Sequence, residues 1–289
     1  MSAIKNLLFK VTLSSTVLTA PSGISVTDKD ANYEIPNNEV ARPYFSSAVI
    51  KKFVNYTSLT SSPVFAESKI SAGSAKMAAF AAEKRMVITQ ASILYSYMNL
   101  QQSGLDQKAF EYAWRGYHNL LKKGIIRKKS VLSICDFSQP STSRRMYVID
   151  VRHKKLLYRT YVAHGQNSGC DYAESFSNER DSYKSSLGFY VTSRTYYGRN
   201  GLSLKINGVD TGYNDLASKR NIVLHGSSYA SPKFVQNYGT LGTSLGCPAI
   251  PTSVSPKIIR AVKNGSVFFI YHPTPKYLEE STVINNMTI

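Results

Sequence analysis

The sequence predicts a mainly β domain of the α+β class, preceded by an N-terminal helical hairpin. Three observations lead there. After Gly124, short apolar and β-branched runs alternate with turns rich in Gly and Asn. No strand–helix–strand alternation recurs, which argues against a doubly wound parallel sheet. Before Gly124, apolar residues recur at spacings of three and four, the period of a helix. A chain of 289 residues with 43% hydrophobic content has room for one large domain with a real core.

The elements follow in order. Residues 1–20 join Lys5 and Lys10 to a moderately apolar stretch, Val11 to Ala20, that ends in small residues. They are expected to be a secretory signal peptide, since the run is too short to span a bilayer as a helix. The mature protein is then expected to hold no integral membrane segment. Residues 21–85 are rich in Ser, Ala, Asn, Thr and Lys and are expected to be a polar linker, partly disordered. Residues 86–124 form the expected hairpin. In "LDQKAFEYAWRGYHNLLKKG", Phe110, Ala113, Trp114, Tyr117 and Leu121 share a face, Asp106 caps the start and Gly124 follows the end. His118 on this helix reads as a surface or packing residue.

Residues 125–275 are expected to be the mainly β domain. "MYVIDV" and "KLLYRTYVA" flank "RHK" as a β-hairpin with His153 in its turn. "GFYVTSRTYY", "LSLKI" and "NIVLH" are further strands. "SPKIIRAVKNG" is a short helix with Pro256 in its first turn, and "VFFIY" is a last, strongly apolar strand. Residues 276–289 are expected to be a C-terminal tail.

Charge narrows the partner. Lys and Arg number 35 against 18 Asp and Glu, a net charge of +17. Such a surplus favours an anionic partner, and one patch is denser than the rest, "KKGIIRKKS" at 122–130. No zinc-ligand spacing, single-stranded-RNA signature or phosphate-binding glycine loop is present, so nucleic acid is not the expected partner.

The three cysteines are Cys135, Cys170 and Cys247. Cys135 sits in the β-like "VLSICDF" and is expected to be a small buried hydrophobe. Cys170 follows "HGQNSG" in a loop, and a Cys135–Cys170 disulfide stays open. Cys247 lies in turn chemistry, "GTSLGCPAI", where packing alone does not explain it. His225 ends the strand "NIVLH" and precedes Gly226. A strand-end imidazole beside a thiol in a glycine turn suits a general base and its nucleophile, with a depressed thiol pKa expected from the pairing. The alternative is a buried cysteine and a surface histidine. The amides of Gly246 and Cys247 are candidate oxyanion donors.

Five motifs in order, "CDFSQPSTSRRMYVIDV", "VAHGQNSG", "FSNERDSYKSSLGFYVTSRTYYGRNGLSLKINGVD", "NIVLHGSSY" and "GTSLGCPAI", resemble the murein L,D-transpeptidase catalytic domain family, the YkuD-like cysteine transpeptidases of peptidoglycan. The resemblance covers about residues 90–272. It implies a β-sandwich or barrel-like catalytic domain with Cys247 as nucleophile and His225 as base. It gives Ser244 the orienting of the active-site loop and makes Gly226 and Gly246 the paired glycines. The group that orients the imidazole is then a backbone carbonyl. No metal or organic cofactor is implied. The implied partners are peptidoglycan stems, a tetrapeptide donor and an acceptor amine, met in the periplasm or another exported, wall-facing space. The implied reaction is cross-linking through a Cys thioester; the alternatives are an L,D-carboxypeptidase or a non-catalytic wall-binding protein.

Two departures bear on substrate binding. Leu245 replaces a second histidine, and Ala249 replaces an arginine, common elsewhere in the wider family. Arg220 and Arg199 are candidates to hold the substrate carboxylates, or else solvated surface residues. His164 is a candidate substrate contact or a loop cap. Tyr229 either stacks on the peptide or packs. "TSRTYYGRNG" is a candidate lid.

Overall fold

The computed structural model describes residues 72–286, so the expected signal peptide and most of the expected linker lie outside the described residues. Helix α1 (Ala72–Tyr97) and helix α2 (Gln107–Lys122) make the N-terminal hairpin. Helix α1 starts well inside the segment expected to be a linker. Its first turns are exposed and carry no periodic apolar face, and only Val87, Ala91 and Tyr95, four apart, are buried. An exposed Ala-, Lys- and Glu-containing helix looks polar and aperiodic in sequence, yet those residues have good helix propensity. Glu83 pairs with Lys122 across the hairpin, and Tyr95 Oη donates to the Leu105 carbonyl at 2.6 Å. Asp106 caps α2, accepting from Ala109 N–H at 2.9 Å.

The sheet follows: β1 (Val131–Asp136), β2 (Met146–Asp150), β3 (Lys155–Thr160), β4 (Gly188–Gly198), β5 (Gly201–Gly208) and β6 (Val223–Ser227). A short helix α3 (Pro232–Tyr238) leads to β7 (Ala249–Pro251), helix α4 (Ser255–Val262) and β8 (Val267–Tyr271). These form one eight-stranded sheet in the order β3-β2-β1-β8-β4-β5-β6-β7. Pairing is antiparallel except for β1 with β8 and β6 with β7. Ala163, just past edge strand β3, bridges Ala249 of the opposite edge strand β7. The sheet therefore curls until its edges nearly meet, a barrel-like form in keeping with the expected class. Strands β1 and β8 are buried throughout, which is why "VLSICD" and "VFFIY" read as continuous apolar runs. Phe189 and Phe269 stack at 4.0 Å between paired strands, and Gly116 of α2 lies directly over Phe189.

The C-terminal segment is not a tail. Helices α5 (Pro275–Glu280) and α6 (Thr282–Asn285) fold back on the domain. Asn119 Nδ2 of α2 donates to the Val283 carbonyl at 2.7 Å. Buried Asp210 accepts from Phe189 N–H, Tyr277 Oη and Ser281 Oγ at 2.7, 3.0 and 2.6 Å. Val283, Ile284 and Tyr277 are buried, but they are too few and too short a run to announce helices in sequence. All three cysteines are free, with Cys135 buried and Cys170 exposed. Among the described residues, no helix is long and apolar enough to cross a membrane.

Candidate active site

Strand register builds the site. His225 on β6 pairs with Ser203 of β5 on one side and with Ala249 of β7 on the other. Cys247 precedes Ala249 by two residues, so the same register carries it opposite Val223. The contact is made: Val223 N–H donates to Cys247 Sγ at 3.4 Å. Val223 and His225 are two apart on one strand and share a face. The register therefore brings Cys247 alongside the strand that carries His225, on its β7 side.

Their resting chemistry differs from expectation. The sulfur lies 3.7 Å from the Asn221 carbonyl, and its hydrogen-bond partners among the described residues are Asn221 and Val223. Burial pushes the Cys247 thiol up, although the Val223 N–H and the Arg220 charge pull the other way. The expected depressed thiol is thus corrected, because removing a thiolate from water outweighs one amide and one cation. Burial also lowers the His225 pKa, against the opposing pull of the Gly226 carbonyl. His225 Nδ1 donates to that carbonyl at 3.0 Å. The ring is then the neutral Nδ1–H tautomer, with the Nε2 lone pair free to take a proton. Asn221 sits in the left-handed region at φ 57°. Asn tolerates that conformation, which turns its carbonyl toward the sulfur.

The loop before Cys247 is held by Ser244. Its Oγ accepts from Gly246 N–H at 3.0 Å and donates to the Cys247 carbonyl at 2.6 Å. The Gly246 amide is therefore occupied and is not an oxyanion donor. The Cys247 N–H has no partner among the described residues and is left for that role. Gly246 has φ +116°, and a Cβ there would lie 2.8 Å from the Lys184 carbonyl. On Gly226 a Cβ would come 2.4 Å from Ser255 Oγ. Both glycines are required by space, and Gly246 by backbone geometry as well.

The candidate substrate contacts fare unequally. His164 is only 1% exposed. Its Nδ1 accepts from Arg145 at 2.7 Å and its Nε2 donates to the Gly169 carbonyl at 3.1 Å. Burial, with Arg145 beside it, lowers its pKa to about 4. Its ring is spent on protein partners, and its backbone carbonyl accepts from Ser244 N–H at 2.9 Å and so fixes the loop before Cys247. Arg220 is also spent. It donates to the Ser177 and Lys184 carbonyls, each at 2.7 Å, to Ser182 Oγ at 3.1 Å and to Ser186 Oγ. Its charge is felt at the thiol, but its donors fasten the 177–186 segment. Arg199 is exposed in the β4–β5 turn and touches none of these groups. Tyr229 is half-buried and its phenol is pushed up to about 12 by burial. It stays a proton donor, close enough to Cys247 for a thiolate there to disfavour its ionisation. The candidate lid is the β4–β5 hairpin, and Tyr197 at its tip is 80% exposed.

Sequence reasoning did not single out two cations, Arg194 and Lys205, that line a groove over β4, β5 and β6. The groove, of about 410 Å³, is lined by Arg194, Tyr196, Lys205, Asn221 and Val223, among others. Asn221 and Val223, whose backbone atoms contact the Cys247 sulfur, also line this groove, while Cys247 and His225 do not. Lys205 pairs with Val223 across β5 and β6, and its Nζ sits 5.9 Å from the Tyr196 ring centre. Strand pairing brings these residues together, and only a period-two reading of "LSLKI" against "NIVLH" could have aligned them.

The sequence matches the family model of the L,D-transpeptidase catalytic domain over residues 101–271. No curated protein matches the chain. Among solved structures, an L,D-transpeptidase from Mycobacterium smegmatis is similar at 12% identity and TM-score 0.31, over 50% of this chain and 59% of that one. The helical cell shape determining protein Pgp2 from Campylobacter jejuni is similar at 14% identity and TM-score 0.30, over 55% and 56%. An L,D-transpeptidase from Stackebrandtia nassauensis is similar at 14% identity and TM-score 0.31, over 62% and 74%. The chain thus spans less than two thirds of the first two.

Proposed function

Since the chain belongs to the L,D-transpeptidase catalytic domain family, we propose that it acts on peptidoglycan stem peptides with Cys247 as nucleophile, His225 as general base and a thioester intermediate. The observation that supports this reading is His225, tied at Nδ1 to the Gly226 carbonyl, on the strand whose Val223 N–H donates to the Cys247 sulfur. Because the thiol rests protonated, attack is coupled to proton transfer. The sulfur adds to the carbonyl carbon of the L-centred link before the terminal D-residue as its proton passes to His225 Nε2. The Cys247 N–H stabilises the oxyanion. Collapse breaks the C–N bond, and the departing amine takes the proton from His225. An acceptor amine then attacks the thioester, gives its proton to His225 and forms the cross-link, and the released sulfur is reprotonated.

In this reading Arg194 and Lys205 receive substrate carboxylates, in place of the arginine absent at Ala249, and protonated Tyr229 donates to the stem. The proposed substrate places the protein outside the cytoplasmic membrane, on the wall-facing side. Water can replace the acceptor amine, which would make the product a trimmed stem; the exposed hairpin tip at Tyr197 leaves that route open. Incubating purified protein with disaccharide-tetrapeptide and weighing the products tests the proposal. Cross-linked dimer is expected. Tripeptide alone, even at high acceptor concentration, would make the protein a carboxypeptidase.

A further inference from the structure

The densest run of positive charge, residues 122–130, lies on elements other than those that carry Cys247 and His225. Folded, it forms one wall of a second concavity, of about 640 Å³. Trp114, Tyr117 and His118 of α2 supply an aromatic side; Arg127 and Lys129 from the following loop, with Arg152 from the β2–β3 turn, supply cations. No Asp or Glu lines it. Among the described residues, no carboxylate pairs with any of these three cations.

The cations sit on a fixed backbone. Arg127 and Lys128 N–H both donate to the Gly265 carbonyl, at 3.1 and 3.0 Å, and Val151 N–H donates to the Ser130 carbonyl at 2.9 Å. Lys128 Nζ reaches the Ala261 carbonyl and Tyr117 Oη the Lys129 carbonyl, each at 2.6 Å. Such anchoring lowers the ordering cost of binding. Trp114 Nε1 and His118 Nε2 are buried beneath this face without partners, although Trp114 is only 7% exposed. Polar atoms left so are uncommon.

We propose that this concavity is a second binding site for a carboxylate-bearing polymer, occupied by another stretch of the strand whose stem reaches Cys247. The polymer's identity rests on the function proposed above; the charge and shape of the site do not. A polymer repeats its carboxylates, so a second contact converts weak affinity into avidity. The geometry permits it: Arg152 lies at the start of the β2–β3 turn, while Ala163, beyond the far end of β3, meets β7. The six residues of β3 set the two ends about 20 Å apart along the strand.

The test uses the full chain carrying Cys247→Ala and co-sedimentation with purified insoluble peptidoglycan. Adding Arg127→Gln, Lys129→Gln and Arg152→Gln should raise the apparent Kd about tenfold or more. Salt, or amidation of the polymer carboxylates, should reproduce that loss. The lysine variants Arg127→Lys and Arg152→Lys should sediment like the parent, separating charge from folding. With Cys247 intact, the triple variant should turn over soluble disaccharide-tetrapeptide at the parental rate. Unchanged sedimentation of the triple variant, or the same loss on amidated polymer, would overturn the proposal. Charge-dependent binding to phosphatidylglycerol vesicles, with none to peptidoglycan, would overturn the assignment of the polymer. Charge-dependent sedimentation by a protein that turns over no stem would sink the catalytic reading and leave the second site standing.

Discussion

At Cys247 two opposing effects meet and burial wins. Desolvation raises the thiol pKa from its ordinary 9.0, while Val223 N–H and the Arg220 guanidinium lower it. The thiol is therefore neutral near pH 7, and His225, lowered from 6.5, is neutral too. Alkylation of Cys247 by iodoacetamide should accelerate only as pH rises through and beyond 9.0. Arg220→Gln removes the favourable charge and should slow alkylation further at a fixed alkaline pH. A rate already at plateau near pH 7 would show a resting thiolate and contradict the neutral pair. The thiol, imidazole and Ser244 were legible because they form one local pattern, "HG" followed by "SLGC". The fates of His164 and Arg220 were not. Their partners, Arg145 for one and Ser177, Ser182, Lys184 and Ser186 for the other, are set by tertiary folding.

Among the elements, helix α2 packs against β1 and β8 of the sheet. Gly116 lets α2 approach Phe189 of β4 so closely that an added Cβ would fall 2.1 Å from the ring. Gly116→Ala should therefore destabilise the fold by about 1–3 kcal/mol through overpacking, despite the better helix propensity of Ala. Urea unfolding measures this; an unchanged or raised midpoint would mean that α2 shifts freely on the sheet. The sequence announced α2 and the long strands because their periodicity is strong. It did not announce β7, whose three residues Ala249–Pro251 are too few to show alternation. Nor did it announce α5 and α6, which hold their place through Asp210 and Asn119. Propensity alone would not sustain helices so short.

Over the whole molecule, buried and half-buried histidines couple the fold to pH. His118, His164, His225 and His272 all have lowered pKa values through burial. His164 is the extreme, falling from 6.5 to about 4. Between those values the unfolded chain binds the proton first, so stability is full above 6.5 and is lost as pH falls toward 4. A shift of that size corresponds to about 3 kcal/mol, lost in full only below the folded value. Buried Asp136 and Asp210, raised from 3.8 by burial, act in the opposite direction. The difference between wild type and His164→Gln isolates the histidine: the variant should lose less stability in urea between pH 7 and pH 4.5. Equal losses would mean that His164 does not titrate with unfolding. The curled sheet sets the strand that carries His225 beside the segment that carries Cys247. The most direct measurement is therefore the mass of the intact protein trapped during incubation with disaccharide-tetrapeptide. An adduct equal to the substrate less its terminal residue, mapping to the Cys247 peptide and absent from Cys247→Ala, is the expected result. Product formation with Cys247 never modified, or undiminished turnover by Cys247→Ala, would contradict it.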